Sequence, residues 1–102
     1  MTESQLQQQM VIEFRNNYKG LIFSVPNGGS RNPIEAKNLK LTGSLAGVSD
    51  LIVIQQNRII FVEVKIEKEI QSDLQIKFQN NVELLGFYYF LVRSLEEFKA
   101  IL

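Results

Sequence analysis

Apolar residues recur at every fourth position near the start of the chain, which predicts an amphipathic helix over roughly residues 3–18. Gly20 ends this helix, and the apolar run 21–25 predicts a short strand. Turn-forming residues follow at 26–30, and the pattern from there to Ser49 predicts mostly loop. Loops of about 20 residues are uncommon in compact domains and are often functional. The apolar stripe of the helix consists of Leu6, Met10, Phe14 and Tyr18.

Two apolar runs rich in β-branched residues, 51–54 and 59–66, are separated by four polar residues. Their closeness along the chain predicts an antiparallel hairpin. A helix is predicted over roughly 72–85, because Ser72 and Gln75 have the spacing of a capping box, in which each side chain bonds to the backbone of the other residue.

The end of the chain predicts a strand and a short helix. Gly86 ends the preceding helix. The apolar run 87–92 then predicts a buried strand rather than an aromatic surface for stacking bases, since it directly follows a capped helix in a crossover connection. Ser94 and Glu97 repeat the capping-box spacing and predict a helix over 95–102. This order of elements predicts an α/β fold, with a mixed sheet of about four strands flanked by helices.

The composition narrows the possible chemistry. The 102 residues include no cysteine and no histidine, which excludes disulfides, thiol nucleophiles, Cys/His zinc sites and imidazole catalysis. Eleven basic residues balance eleven acidic ones, so a nucleic-acid partner would be met by a local patch. The length predicts a single domain over 1–102. The lack of an apolar run of about 20 residues predicts a cytoplasmic protein with no membrane partner.

The alternation of side chains along the hairpin strands gives one wholly apolar face. The other face carries Asp50 on the first strand and, on one register, Glu63 and Lys65 on the second. A loop of two or four residues puts these three side chains on the same face, and the four-residue loop puts Asp50 directly opposite Glu63. A loop of three residues would separate them.

Two carboxylates and an ammonium group at one end of a hydrophobic hairpin suggest a metal site. Crowded, partly desolvated carboxylates favour sharing a proton or a cation, and oxygen ligands suit Mg²⁺ or Mn²⁺. The alternative is that Asp50 caps the loop while Glu63 and Lys65 form an exposed ion pair on an edge strand, an arrangement that is common and contributes little. The apolar neighbours of Glu63 favour the metal site.

The first helix offers a third acid. On a helical wheel, Glu3 lies near the middle of the arc of the apolar stripe and is predicted to point inward, whereas Glu13 faces water. The alternative is that Glu3 is a first-turn acid that complements the helix dipole. Its position on the buried face favours a role in the site.

The segment between Gly20 and Ser49 contains a local basic patch, in which Arg31, Lys37 and Lys40 are opposed by one acidic residue. Together with nearby glycines, which let a backbone approach phosphates closely, this patch is a candidate surface for a DNA strand. The alternative is a solvated loop whose lysines serve solubility, and the charge count alone does not separate the two.

These residues together resemble the PD-(D/E)XK nuclease pattern and are most similar to the small stand-alone VRR-NUC domains of phages and bacteria. The chain departs from the pattern at Ser49, where the core motif usually has a proline that shapes the turn and does not touch metal. The residues that carry the likeness are Gly47-Val48-Ser49-Asp50, Phe61-Val62-Glu63-Val64-Lys65, Ser72 and Gln75, with Glu3, Gln7, Val25-Pro26-Asn27-Gly28-Gly29, Arg31 and Gly43 upstream and Gly86 downstream.

The resemblance implies a restriction-endonuclease-like core and a metal centre. Asp50 and Glu63 would bind Mg²⁺ or Mn²⁺, with the main-chain carbonyl of Val64 as a further ligand. Glu3 would act on the metal directly or through water.

The resemblance also implies roles for Lys65 and Gln75. Lys65 would hold the attacking water, help to deprotonate it and stabilise charge on the phosphate, while Gln75 would orient water or a phosphate oxygen. The products would carry a 5′-phosphate and a 3′-hydroxyl.

A compact chain of this length has a radius of gyration of about 13 Å, so one copy touches few base pairs. A two-fold homodimer would place two sites symmetrically. We therefore expect a metal-dependent, structure-selective DNA endonuclease that resolves four-way (Holliday) junctions as a homodimer. The alternatives are a less selective or flap-directed DNA nuclease, and a non-catalytic nucleic-acid-binding protein on the same fold.

Overall fold

The computed structural model of the chain describes residues 1–26 and 32–102, which contain four helices and four strands. The helices are α1 (Glu3–Asn17), α2 (Pro33–Leu41), α3 (Asp73–Leu84) and α4 (Leu95–Ala100), and the strands are β1 (Leu21–Ser24), β2 (Leu51–Gln55), β3 (Arg58–Val64) and β4 (Tyr88–Val92). None of the helices within this described part has the length and apolar character needed to cross a membrane.

The strands form one mixed sheet in the order β1-β2-β3-β4. β1, β2 and β3 pair antiparallel, whereas β4 lies parallel to β3. A parallel neighbour requires a crossover connection, and α3 supplies it. The prediction of an α/β fold with a mixed sheet of four strands and flanking helices is confirmed.

The hairpin between β2 and β3 has the register that the site requires. Gln55 pairs with Arg58 and Leu51 pairs with Val62, so two residues form the turn. This is the register predicted for the four-residue loop 55–58. The Gln55–Arg58 pair extends the ladder by one pair into that loop. Asn57 lies in the turn at φ +62°, a conformation that asparagine tolerates better than most residues.

The core lies between one face of the sheet and the helices α1 and α4. Leu6, Met10 and Phe14 of the predicted stripe are buried against this face, while Tyr18 caps the helix and stacks on Phe14 with the ring centroids 5.8 Å apart. The opposite face is covered in part by α3, through an edge-on contact between Phe61 and Phe78. The sheet residues that are fully buried in the core are Leu51, Val53, Ile60, Val62 and Val64.

The prediction of mostly loop from 31 to Ser49 is wrong over Pro33–Leu41, which form α2, whereas 42–49 form neither helix nor strand. The local signals for the helix are Asn32, whose side chain accepts a hydrogen bond from the Ile34 N–H at 2.9 Å, and Pro33 at the first helical position. Periodicity missed the helix because none of its residues is buried, so no apolar stripe faces the core. The predicted turn at 26–30 lies largely outside the described residues.

The predicted strand at 87–92 is present, but its burial was overestimated. β4 is the outermost strand of the sheet in the described chain, so Tyr88 is 57% exposed while Tyr89 beside it is buried. A crossover strand is fully buried only when it has a neighbouring strand at both edges and a helix covers both of its faces.

Candidate active site

The first carboxylate lies where β2 and β3 separate. The backbone carbonyl of Asp50 accepts a hydrogen bond from Val25 N–H at 3.2 Å, on the side of β1. Its side-chain Oδ2 accepts one from Val64 N–H at 2.7 Å, on the side of β3. The carboxylate therefore bonds to the β3 backbone at the point where the regular pairing of β2 and β3 ends. This bond fixes Asp50 beside Glu63.

The approach to Asp50 is shaped by two small residues. Ser49, at the position of the usual proline, is fully buried, and its hydroxyl donates to the Leu51 carbonyl at 3.3 Å. Gly47 has φ +86° and packs so closely on the first turn of α3 that a Cβ would meet the Leu74 backbone. The loop before Asp50 is thereby held against the helix that carries Gln75.

The second carboxylate is buried. Glu63 is 1% exposed, and its Oε2 lies 3.5 Å from the donating Gln75 Nε2 and 3.9 Å from Lys65 Nζ. The pKa of Glu63 is raised from 4.5 to about 8, mainly by burial and then by a hydrogen bond to Asp50 and the negative charge of Asp50. The positive charge of Lys65 lowers this pKa in part. Two acids so close therefore favour sharing one proton when no cation is bound.

The structure places Asp50, Glu63 and Lys65 on one face, as the four-residue register predicts. Lys65 has 12% of its side chain exposed, so the alternative of a solvated ion pair on an edge strand does not describe the site. Gln75 has two roles: its Oε1 accepts from Ser72 N–H at 2.9 Å in the capping box of α3, and its Nε2 donates to Glu63. The catalytic roles of these residues remain predictions.

Glu3 lies beside the pair without joining it. The pKa of Glu3 is raised mainly by burial and then by a hydrogen bond to Glu69 and the charge of Glu69, whereas the charge of Lys65 lowers it. Within residues 1–26 and 32–102, no three acidic side chains converge in a way that could hold a metal ion. Sequence reasoning missed Glu69, whose position depends on the turn after β3, where Glu67 has φ +50°.

The donor set of Asp50 and Glu63 fits a hard divalent cation. Glu63 Oε1 is buried and has no hydrogen-bond partner in the part of the chain that the structure describes. A cation would satisfy this oxygen and relieve the repulsion between the two acids. Mg²⁺ is commonly bound through one or two carboxylates, completed by waters and substrate phosphates, so a third protein acid is not needed.

The predicted basic residues come before Asp50 and Glu63 in the sequence, in the segment that contains α2. Lys37 and Lys40 are exposed on α2, so they belong to a helix rather than to a loop. Arg31 lies outside the described residues.

The burial of Glu63 predicts that stability depends on pH. Since the folded-state pKa is raised, the unfolded chain ionises first, and stability is lost as the pH rises from about 4.5 to about 8. The loss is on the order of a few kcal/mol. Glu63→Gln should remove most of this slope and exceed the wild type in stability at pH 8, as measured by urea unfolding with chelator present.

The exposed Glu67→Gln variant is the matched control for this measurement and should keep the wild-type slope. A slope that is unchanged in Glu63→Gln would show that the pKa of Glu63 is the same in the folded and the unfolded protein, which would contradict the prediction.

The close packing of Gly47 predicts a second difference. Gly43 also has a positive φ, but a Cβ there meets nothing within 4 Å. Gly43→Ala should therefore cost only the backbone strain, about 1–3 kcal/mol. Gly47→Ala should cost about 1–3 kcal/mol more, because Leu74 must move. Equal losses in urea unfolding would contradict the packing of this loop on α3.

Comparison with known proteins supports the same architecture. No family model and no curated protein matches the chain. Among solved structures, the chain is similar to a VRR_NUC domain protein, with a TM-score of 0.77 and 20% sequence identity, over 99% of this chain and 84% of that one. The likeness spans the hairpin and the crossover helix that carry the site. The resemblance in the sequence motif and the independent likeness of structure agree, and the chain has the fold of a VRR_NUC domain.

Proposed function

We propose that the chain is a metal-dependent DNA endonuclease that hydrolyses phosphodiester bonds and resolves four-way junctions as a homodimer. The observation that carries this proposal is the buried Asp50–Glu63 pair, with Lys65 beside it, at the point where two strands of a VRR_NUC fold separate. Glu63 Oε1 is buried and has no hydrogen-bond partner among the described residues, so a cation can bind to it.

Asp50 and Glu63 would hold Mg²⁺ or Mn²⁺, with the Val64 carbonyl as a further ligand and Glu3 acting through water. The bound ion supplies a water of lowered pKa and a positive charge that stabilises the phosphate oxygens. Val64 N–H already donates to Asp50 Oδ2, so this carboxylate oxygen is held against the backbone of β3.

Lys65 is the residue of the chain that would act on the attacking water. Its ammonium group is mostly buried and lies 3.9 Å from Glu63, so it is held close to the acids that bind the ion. A charge in this position orients the water and stabilises the negative charge that develops on the phosphate. In the hydrolysis, the water oxygen bonds to phosphorus, the P–O3′ bond breaks and the 3′-oxygen leaves with a proton.

DNA would reach the site along α1. A cavity of ≈ 490 Å³ opens onto Asp50 and Glu3 and is lined further by Gln7, Gln8 and Arg15. Amide and guanidinium donors can bond phosphate oxygens without reading the bases. On the basis of the sequence, we propose Lys37, Lys40 and Arg31 as further contacts to phosphates. We propose that the protein acts in the cytoplasm of a bacterial or phage-infected cell.

The homodimer is supported by α2. This helix buries none of its residues against the rest of the described chain, and apolar side chains are exposed on it and after it. Exposed apolar side chains that lie close together are typical of interaction surfaces. These side chains are Ile34 (71% exposed), Leu41 (74%) and Leu45 (60%).

The activity is tested with labelled four-way junctions and matched linear duplexes, in Mg²⁺, Mn²⁺ or chelator. We expect paired, symmetric nicks on the junction and no cutting with chelator. Lys65→Ala should lower the rate at least about 100-fold and keep junction binding, while Lys68→Ala, an exposed neighbour, should cut normally. Normal cutting by Lys65→Ala would remove this lysine from the mechanism.

The same assay separates the alternatives. Metal-dependent cutting of every substrate would indicate a less selective nuclease, and preferential cutting of flaps a flap-directed one. Binding to junctions that needs no metal and leads to no cutting would indicate a non-catalytic DNA-binding protein.

The dimer predicts that Leu41→Glu dissociates it. Since this side chain is 74% exposed in the single chain, the substitution should leave the fold intact, shift the sedimentation coefficient to that of a monomer and abolish paired nicking. Lys77→Glu, on α3, is the control for added negative charge. A wild type that sediments as a monomer at micromolar concentration would contradict the homodimer.

A further inference from the structure

A buried phenol occupies the face of the sheet that carries Glu63. Tyr89 pairs with Phe61 in the parallel ladder of β3 and β4, and Phe61 and Glu63 share a face because they are two residues apart along a strand. Tyr89 is 5% exposed, whereas Tyr88, on the other face, is 57% exposed. The proposed hydrolysis does not use this phenol.

The phenol oxygen is held by two glutamines. Gln71 Nε2 donates to Tyr89 Oη at 3.0 Å and to Gln79 Oε1 at 2.9 Å, so both hydrogens of this amide group are used. The ring itself packs on Phe78, with the centroids 6.2 Å apart. Because Tyr89 Oη accepts from Gln71, its own hydrogen is left to donate to another group.

A buried donor of this kind needs an acceptor, and two buried side-chain oxygens lack a partner among the described residues. One is Gln55 Oε1, but Gln55 alternates with Ile54 and so belongs to the opposite face, at the hairpin turn. The other is Glu63 Oε1, on the face of Tyr89 and two residues further along the ladder. Burial and, after it, the charge of Glu63 raise the pKa of Tyr89, which keeps the phenol protonated at neutral pH.

We propose that Tyr89 is a positioning residue, whose hydroxyl donates to Glu63 Oε1 and whose own position is fixed by the Gln71–Gln79 pair. Its importance for cation binding rests on the proposed function, whereas the hydrogen bond itself does not. A carboxylate oxygen has two lone pairs, so Oε1 can accept from the phenol and still face a cation. Together with Gln75 and Lys65 on Oε2, this bond would hold both oxygens of Glu63.

The hydrogen bond is tested first in the metal-free protein. With chelator present, the Tyr89 hydroxyl proton should give a proton NMR resonance that is protected from exchange with water and is absent in Tyr89→Phe. This resonance should shift in Glu63→Gln and stay in place in Glu67→Gln, whose side chain is exposed. A hydroxyl resonance that exchanges freely, or that ignores Glu63→Gln, would overturn the proposal.

The effect on cation binding is tested without DNA, by calorimetric titration of Mg²⁺ or Mn²⁺. Removing a partner that orients a metal ligand typically weakens metal binding about 10–100-fold, so Tyr89→Phe should do so, while Tyr88→Phe binds like the wild type. Phenylalanine keeps the ring packing but leaves Gln71 Nε2 and Glu63 Oε1 without the phenol, so the melting temperature should fall by a few degrees. A lower melting temperature with unchanged metal affinity would overturn the positioning role and leave only packing.

Gln71 should act through Tyr89. Gln71→Ala should weaken cation binding in the same direction but less, and the double variant with Tyr89→Phe should bind no more weakly than Tyr89→Phe alone. Additive losses would overturn the link between Gln71 and Tyr89. If the wild type binds neither cation while its hydroxyl resonance still responds to Glu63→Gln, the proposed function fails and the hydrogen bond to Glu63 stands.

Discussion

The site depends on one hydrogen bond, between Val64 N–H and the Asp50 carboxylate. Val64 is fully buried, so its N–H must be paired, and beyond the Leu51–Val62 pair no regular strand residue of β2 is there to accept it. The carboxylate fills that place. The backbone of β3 thus fixes the Asp50 side chain. Where β2 and β3 separate, Glu63 can therefore face Asp50.

The second acid destabilises the sheet in which it lies. Glu63 is flanked on its strand by Val62 and Val64, both fully buried, and its burial beside Asp50 raises its pKa. Such a group is stable only because the apolar face of the same hairpin is packed against α1 and α4. The alternation of the strand therefore separates two tasks, since one face stabilises the fold and the other holds acids that repel each other.

The sequence was sufficient for the hairpin, but it placed Asp50, Glu63 and Lys65 on one face only for an even loop length, which it left open. It was not sufficient for α2, whose apolar residues do not face the core. The partnership of Glu3 with Glu69 depends on a turn at Glu67 that no pattern indicates. Tyr89 could be predicted only as part of a strand, since its place beside Glu63 requires the register of β4 on β3.

The start of the crossover helix is coupled to the chemistry through Gln75. One end of its amide caps the backbone of Ser72 and the other donates to Glu63, so the helix cannot shift along its axis without moving a donor away from the acid. Gly47 fixes the same turn from the other side, by packing on Leu74. The loop that carries Gly47 also leads into Asp50. The first turn of α3 therefore positions both carboxylates. Capping, loop packing and carboxylate orientation therefore form a single constraint, and a change in any one of them alters the distance between the acids.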